Sequence, residues 1–169
     1  MSATESTMAV FAQDDLLQVL WRLLAALFAG AVLGFDREMK GHAAGLRTHM
    51  MVALAAAATS SLSLELYEEL HSFNPNGNAD PMRIIEGVIA AVGFLGGGMI
   101  IVAGGKVQGL TTAANLWACG IIGLAFGSGL FRIGFMTLGL AFLVLVVIGA
   151  LERHLINKDR HPRKTPDEG

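Results

Sequence analysis

Between Ile84 and Leu151 the chain has only three side chains of the Asp, Glu, Lys or Arg kind: Glu86, Lys106 and Arg132. A stretch this poor in charge cannot form the solvated surface of a soluble domain, where about a quarter of residues are charged. The whole chain of 169 residues is 15% charged and 53% hydrophobic, so the bias is general. Hydrocarbon offers no hydrogen bonds, so a spanning segment must satisfy its backbone internally, and a helix does this within one segment. The chain is therefore read as an all-α integral membrane protein.

About five transmembrane helices are expected. Leu16–Phe35 is long enough to cross a core of roughly 30 Å. Further apolar segments run from about Thr48 to Leu64, Met82 to Ala103, Leu110 to Gly127 and about Phe131 to Leu151. Residues 1–15 form a polar N-terminal segment, 16–151 the membrane domain and 152–169 a polar tail with two prolines. The first segment follows acids rather than a basic region, so it does not read as a cleaved signal. The Gly104–Gly109 and Gly127–Gly129 connections are tight turns that make the last three spans antiparallel neighbours. Glu65–Pro81 is longer, its start could prolong the second helix, and Asn74-Pro75-Asn76-Gly77-Asn78 is a run of turn residues. Nine basic residues fall on one side, in Arg37, Lys40, Arg47, Lys106 and the tail, against Arg83 and Arg132 on the other. That asymmetry predicts the N-terminus outside and the C-terminus cytoplasmic.

Several classes are excluded by residue type. The formal charge of −2 leaves no basic footprint for nucleic acid. The single cysteine, Cys119, cannot form an intramolecular disulfide. No nucleophile stands beside a placed base and no phosphate-cradling loop follows a strand, so neither an enzyme nor a bound cofactor is expected.

The polar residues that remain are candidates for function. The connection Asp36–His49 gathers seven charged or imidazole side chains. Asp36 and Glu38 offer oxygens of the kind a hard cation prefers, while Arg37, Lys40 and Arg47 could hold an anion or an acidic partner. The plainer reading is topology, charge balance and turns at Gly41 and Gly45. His42 and His49 have no established metal-ligand spacing. Arg22 and Glu86 lie at similar depth, so a buried ion pair would offset the penalty of each. Snorkelling, or an ion path, are the other readings. Thr111, Asn115, Cys119, Gly123 and Gly127 recur every four residues and form one helix stripe, with Thr112 beside it. Together with Gly93, Gly96, Gly97 and Gly98, that stripe reads as helix packing. Alternatively the glycine run unwinds and exposes carbonyls and amides beside Thr111, Thr112 and Asn115.

Five motifs in order over about residues 20–130 resemble the MgtC/SapB family of bacterial inner-membrane proteins. They are Leu33-Gly34-Phe35-Asp36-Arg37-Glu38, Ala44-Gly45-Leu46-Arg47-Thr48-His49, Asp80-Pro81-Met82-Arg83-Ile84, Gly93-Phe94-Leu95-Gly96-Gly97-Gly98, and Gly109-Leu110-Thr111-Thr112-Ala113-Ala114-Asn115-Leu116-Trp117. The resemblance implies a multi-pass inner-membrane protein linked to growth at low magnesium and, in pathogens, to virulence. It also implies regulation through another membrane protein, with the F-type ATP synthase as the best-known proposed target. Family members commonly have Glu where this chain has Asp36, and some have Asn at the position of Thr111. A cysteine directly after the tryptophan is here Ala118, with Cys119 one place later, so a role for the thiol does not carry over. Some members continue into a soluble domain where this chain has its short tail.

Two functions compete. A regulator acting on a membrane partner should present small-residue faces, which Gly30-x-x-x-Gly34 and the stripe could supply, and a homo-oligomer is compatible with it. A transporter or channel for magnesium or another cation needs carboxylates converging near the midplane, and Glu86 is the one clear intramembrane carboxylate. Asp36, Arg37, Glu38, Arg47, Thr48, Thr111, Thr112 and Asn115 are the expected partner or ligand-binding residues.

Overall fold

The computed structural model describes residues 3–75, 77, 80, 82–103 and 105–151, with side chains from residue 15 onward except 103. Five helices run α1 Ala3–Met39, α2 Leu46–Phe73, α3 Met82–Gly98, α4 Leu110–Gly127 and α5 from Phe131. The last of these continues through a π-helical turn at Val144–Ile148 to Leu151. A two-stranded antiparallel hairpin, β1 Ile101–Ala103 and β2 Lys106–Gln108, joins α3 to α4. The polar start of the chain is thus helical from Ala3 and continuous with the first span. The tail at 152–169 lies outside the described residues.

Four segments are long and apolar enough to cross a membrane: Asp15–Met39, Leu46–Phe73, Leu110–Gly127 and Phe131–Leu151. The expected third span is the shorter α3, whose 17 residues reach about 25 Å. Its predicted last residues, Ile101–Ala103, are instead strand β1. The α2 helix runs past the expected end at Leu64 to Phe73, as the helix-forming Glu65–Leu70 stretch permits.

At the centre is α4, with 61% of its apolar window buried against 11% for α5. Its neighbours come close because small residues line the contacts. A Cβ on Gly123 would meet the Ala53 Cα at 3.0 Å, and one on Gly127 would meet the Ala57 Cα at 2.7 Å. The stripe foreseen on α4 thus faces α2. On α1, Gly30 and Gly34 lie against His49, Met50 and Leu46 of α2, so this pair is an internal contact rather than a free face. The core is Ala26, Ala29, Leu33, Ala53, Ala57, Cys119, Ile122, Phe126 and Leu138, an apolar set without a carboxylate. Phe126 also packs edge-on against Phe135, at 5.0 Å between ring centres.

Only part of the α3 glycine run packs inward. Gly96 faces the Ala113 carbonyl of α4 at 3.3 Å for an added Cβ. At Gly93, Gly97 and Gly98, as at Gly87, an added Cβ meets nothing within 4 Å. Helical hydrogen bonding persists to Gly98, and the chain turns at Met99 through Met99 N to Gly96 O and Ile100 N to Gly97 O bonds. The run ends a helix rather than interrupting one.

Gly123→Leu and Gly97→Leu therefore separate. Overpacking at Gly123 should cost about 1–3 kcal/mol, while Gly97→Leu should leave the detergent-solubilised melting temperature unchanged. Equal melting of the two variants would show that α2 and α4 do not approach as described.

Candidate functional site

The polar connection Asp36–His49 folds as a tight helix–helix turn. Gly41 is left-handed at φ 66°, and its N–H donates to the Glu38 carbonyl while His42 N–H donates to the Arg37 carbonyl. These two bonds form a Schellman cap that ends α1. The Glu38 carboxylate then reaches forward, its Oε2 accepting the Leu46 N–H at 2.9 Å. An acid at the positive start of α2 satisfies an orphan amide and the helix dipole together. A Cβ at Gly45 would meet that carboxylate, so a side chain there would displace the Glu38 cap. Asp36 pairs with Lys40 one turn on, at 2.5 Å. Both acids of the connection are therefore engaged locally.

Arg37 turns the other way. Its side chain is buried, and Nη2 donates to the Thr112 hydroxyl at the start of α4. One layer deeper, His49 Nδ1 lies 2.8 Å from the Gly45 carbonyl and Nε2 lies 2.9 Å from Asn115 Nδ2. A carbonyl only accepts, so Nδ1 carries the proton and the Asn115 amide donates to Nε2. Below that, the Cys119 thiol donates to the His49 carbonyl at 3.3 Å. Arg37–Thr112, His49–Asn115 and Cys119 thus form a buried polar ladder from the turn into the bundle. The Asn115 Oδ1 and Arg37 Nε are buried without a partner. At the other end of α4, the Gly127 carbonyl accepts from Ser61 Oγ at 2.9 Å and from Arg22 Nη1 at 3.4 Å.

Of the expected site residues, Arg37, Thr112 and Asn115 converge on the ladder. Thr111 is exposed beside it, Thr48 is half-buried and Arg47 is exposed on the first turn of α2. Asp36 and Glu38 shape the turn instead. The Arg22–Glu86 pair does not form: Arg22 goes to the negative C-terminal end of α4, and Glu86 is exposed on α3. The acceptor of Arg22 is a backbone carbonyl rather than a carboxylate. His49 carries more than its spacing from His42 suggested. Its signal was an imidazole at the head of an apolar helix, with an amide available on another. Among the described residues no group of three or more His, Cys, Asp or Glu could hold a metal ion.

Two measurements address this geometry. A double-mutant cycle with His49→Leu and Asn115→Leu should give a coupling of about 0.6–1.7 kcal/mol, the range for such bonds between membrane helices. Strictly additive losses would mean the two side chains do not bond. Glu38→Ala should speed exchange of the Leu46 amide and cost about 1 kcal/mol, and an unchanged exchange rate would remove the cap.

The MgtC family model matches residues 23–154. The chain is 37% identical over 144 residues to "Putative magnesium transporter YhiD" of Escherichia coli (strain K12), covering 85% of this chain and 66% of that protein. It is 34% identical over 145 residues to protein SrpB of Synechococcus elongatus, covering 81% of this chain and 77% of that relative. Protein MgtC of Brucella abortus (strain 2308) is 33% identical over 134 residues, covering 79% of this chain and 51% of the relative. The chain thus spans just under two thirds of the YhiD length and about half of that MgtC. No solved structure matches. With most of its membrane helices inside the matched region, this multi-pass chain belongs to the MgtC family.

Proposed function

We propose that the chain is a regulatory protein of the bacterial inner membrane that binds another membrane protein and serves adaptation to low magnesium. One observation carries this reading: the outer face of α3. Gly87, Gly93, Gly97 and Gly98 thin that face around the exposed Phe94, and no described residue packed from elsewhere comes within 4 Å of a Cβ added at any of them. Each glycine weakens a helix by about 1 kcal/mol relative to alanine, a cost that close approach of a partner helix would offset. The other small-residue faces, Gly30/Gly34 and Gly123/Gly127, are already filled from within the chain. The partner suggested by the family resemblance is the F-type ATP synthase, with a second copy of this chain as the other candidate. The positive connection at Arg37, Lys40 and Arg47 then faces the cytoplasm.

Magnesium transport is the second reading, favoured by the name of the Escherichia coli relative. The packed apolar core counts against it, because a divalent cation crossing a single chain would meet no carboxylate there.

Phe94 is 87% exposed on the open face and is the position for a photocrosslinking residue. In native membranes at low magnesium it should capture a membrane partner, and Gly97→Leu should reduce capture about tenfold or more through overpacking at the contact. The same variant should lose support of low-magnesium growth with its melting temperature kept. Magnesium flux into liposomes by the purified chain, unaffected by Gly97→Leu, would overturn the regulatory reading.

A further inference from the structure

Beside the polar ladder lies an open cavity of about 490 Å³, bordered by the end of α1, the hairpin and the start of α4. Its polar walls are Arg37, His42, Gln108, Thr111 and Thr112, together with the backbone at Gly109, and among the described residues no carboxylate lines it. Two independent features make it positive. The first is the α4 N-terminus. Gly109 precedes that helix at φ 87°, has no side chain to cap it, and is required because a Cβ would collide with the Met99 carbonyl. No acidic residue sits in the first turn of α4. Its leading amides therefore keep the partial positive charge that draws anions to helix starts.

The second feature is Arg37. Its side chain is 95% buried, given a relative exposure of 5%, and lines the cavity. Its Nε has no hydrogen-bond partner, and neither neighbouring acid bonds it: Asp36 pairs with Lys40 and acts on Arg37 only through its nearby charge, and Glu38 caps α2. A guanidinium held against the positive end of a helix is an unfavourable arrangement by itself. An oxyanion between them would reverse the sign of both interactions, accepting from the planar fork, the helix amides and the Thr111 hydroxyl.

We propose that this cavity binds a phosphate group, held by Arg37, Thr111 and the first-turn amides of α4. The volume lies within the roughly 300–1,000 Å³ of small-molecule sites, so the phosphate arrives on a larger molecule whose remainder packs on the apolar hairpin wall. That molecule is a soluble phosphate ester or a phospholipid headgroup. The site is separate from the open face of α3, and the assignment does not depend on the partner proposed there.

The test uses the full chain in dodecyl maltoside, which carries no phosphate, with melting followed by tryptophan fluorescence. One arm adds inorganic phosphate or glycerol phosphate at constant ionic strength, and the other adds phosphatidylglycerol. Saturable stabilisation by the soluble ions assigns a soluble ester, and stabilisation by the lipid alone assigns a headgroup. Arg37→Gln should raise the apparent Kd by about tenfold or more, the value of one charge-assisted bond. Gln108 is exposed on the cavity rim, so its variants keep the fold if Arg37→Gln does not. Gln108→Glu should weaken binding several-fold and Gln108→Lys should tighten it. No stabilisation in either arm, or the same affinity in both Gln108 variants, would overturn the proposal.

Discussion

The backbone contact between α2 and α4 is the constraint on which the remaining geometry depends. Gly123 and Gly127 carry no Cβ, so the two helices meet at Ala53 and Ala57 at main-chain distance. That spacing brings His49 within hydrogen-bond reach of Asn115 and lets Cys119 reach the His49 carbonyl. With a side chain at either glycine, these bonds would stretch beyond the distance at which they count as bonds. Gly30 and Gly34 repeat the device between α1 and α2, and this brings Arg37 to the start of α4. A few absent side chains thus position most of the buried polar groups.

The central helix is electrically asymmetric in its surroundings. At its C-terminus, Arg22 and Ser61 donate to the Gly127 carbonyl, so a cation meets the negative end of the dipole. At its N-terminus another arginine, Arg37, meets the positive end. The first contact stabilises the bundle without any further component. Among the described residues the second has the Thr112 hydroxyl, a neutral group, as its hydrogen-bond acceptor, with the Asp36 charge nearby. The two ends of one helix thus differ: at one an arginine meets the negative end of the dipole, and at the other an arginine lies beside the positive end, where the phosphate site is proposed.

Much of this architecture was legible because lipid narrows the choices. Segment lengths and the absence of charge located the long spans, and four-residue spacing identified the α4 stripe before its partner was known. What was hidden involved groups that no residue letter records. The acceptor for Arg22 is a main-chain carbonyl, and depth matching could only suggest a carboxylate such as Glu86. Glu38 caps an amide eight residues ahead across a turn whose shape depends on Gly41 and Gly45. The run Gly93–Gly98 reads as one packing motif, yet only the direction of each helix face separates Gly96, against α4, from Gly93, Gly97 and Gly98 in the open. His49 was undervalued because its partner, Asn115, lies 66 positions away.

The length of α3 has a mechanical consequence. At 17 residues it is about 25 Å long beside a hydrocarbon core of roughly 30 Å. The hairpin that follows exposes Ile101, Val102 and Val107 beside the charged Lys106. A short helix at the rim of a bundle draws the lipid leaflets together, and that deformation has a free-energy cost that grows with bilayer thickness. Covering α3 with another helix removes the deformed lipid. If α3 takes the partner helix proposed above, membrane thickness would bias that contact, with thicker bilayers favouring it.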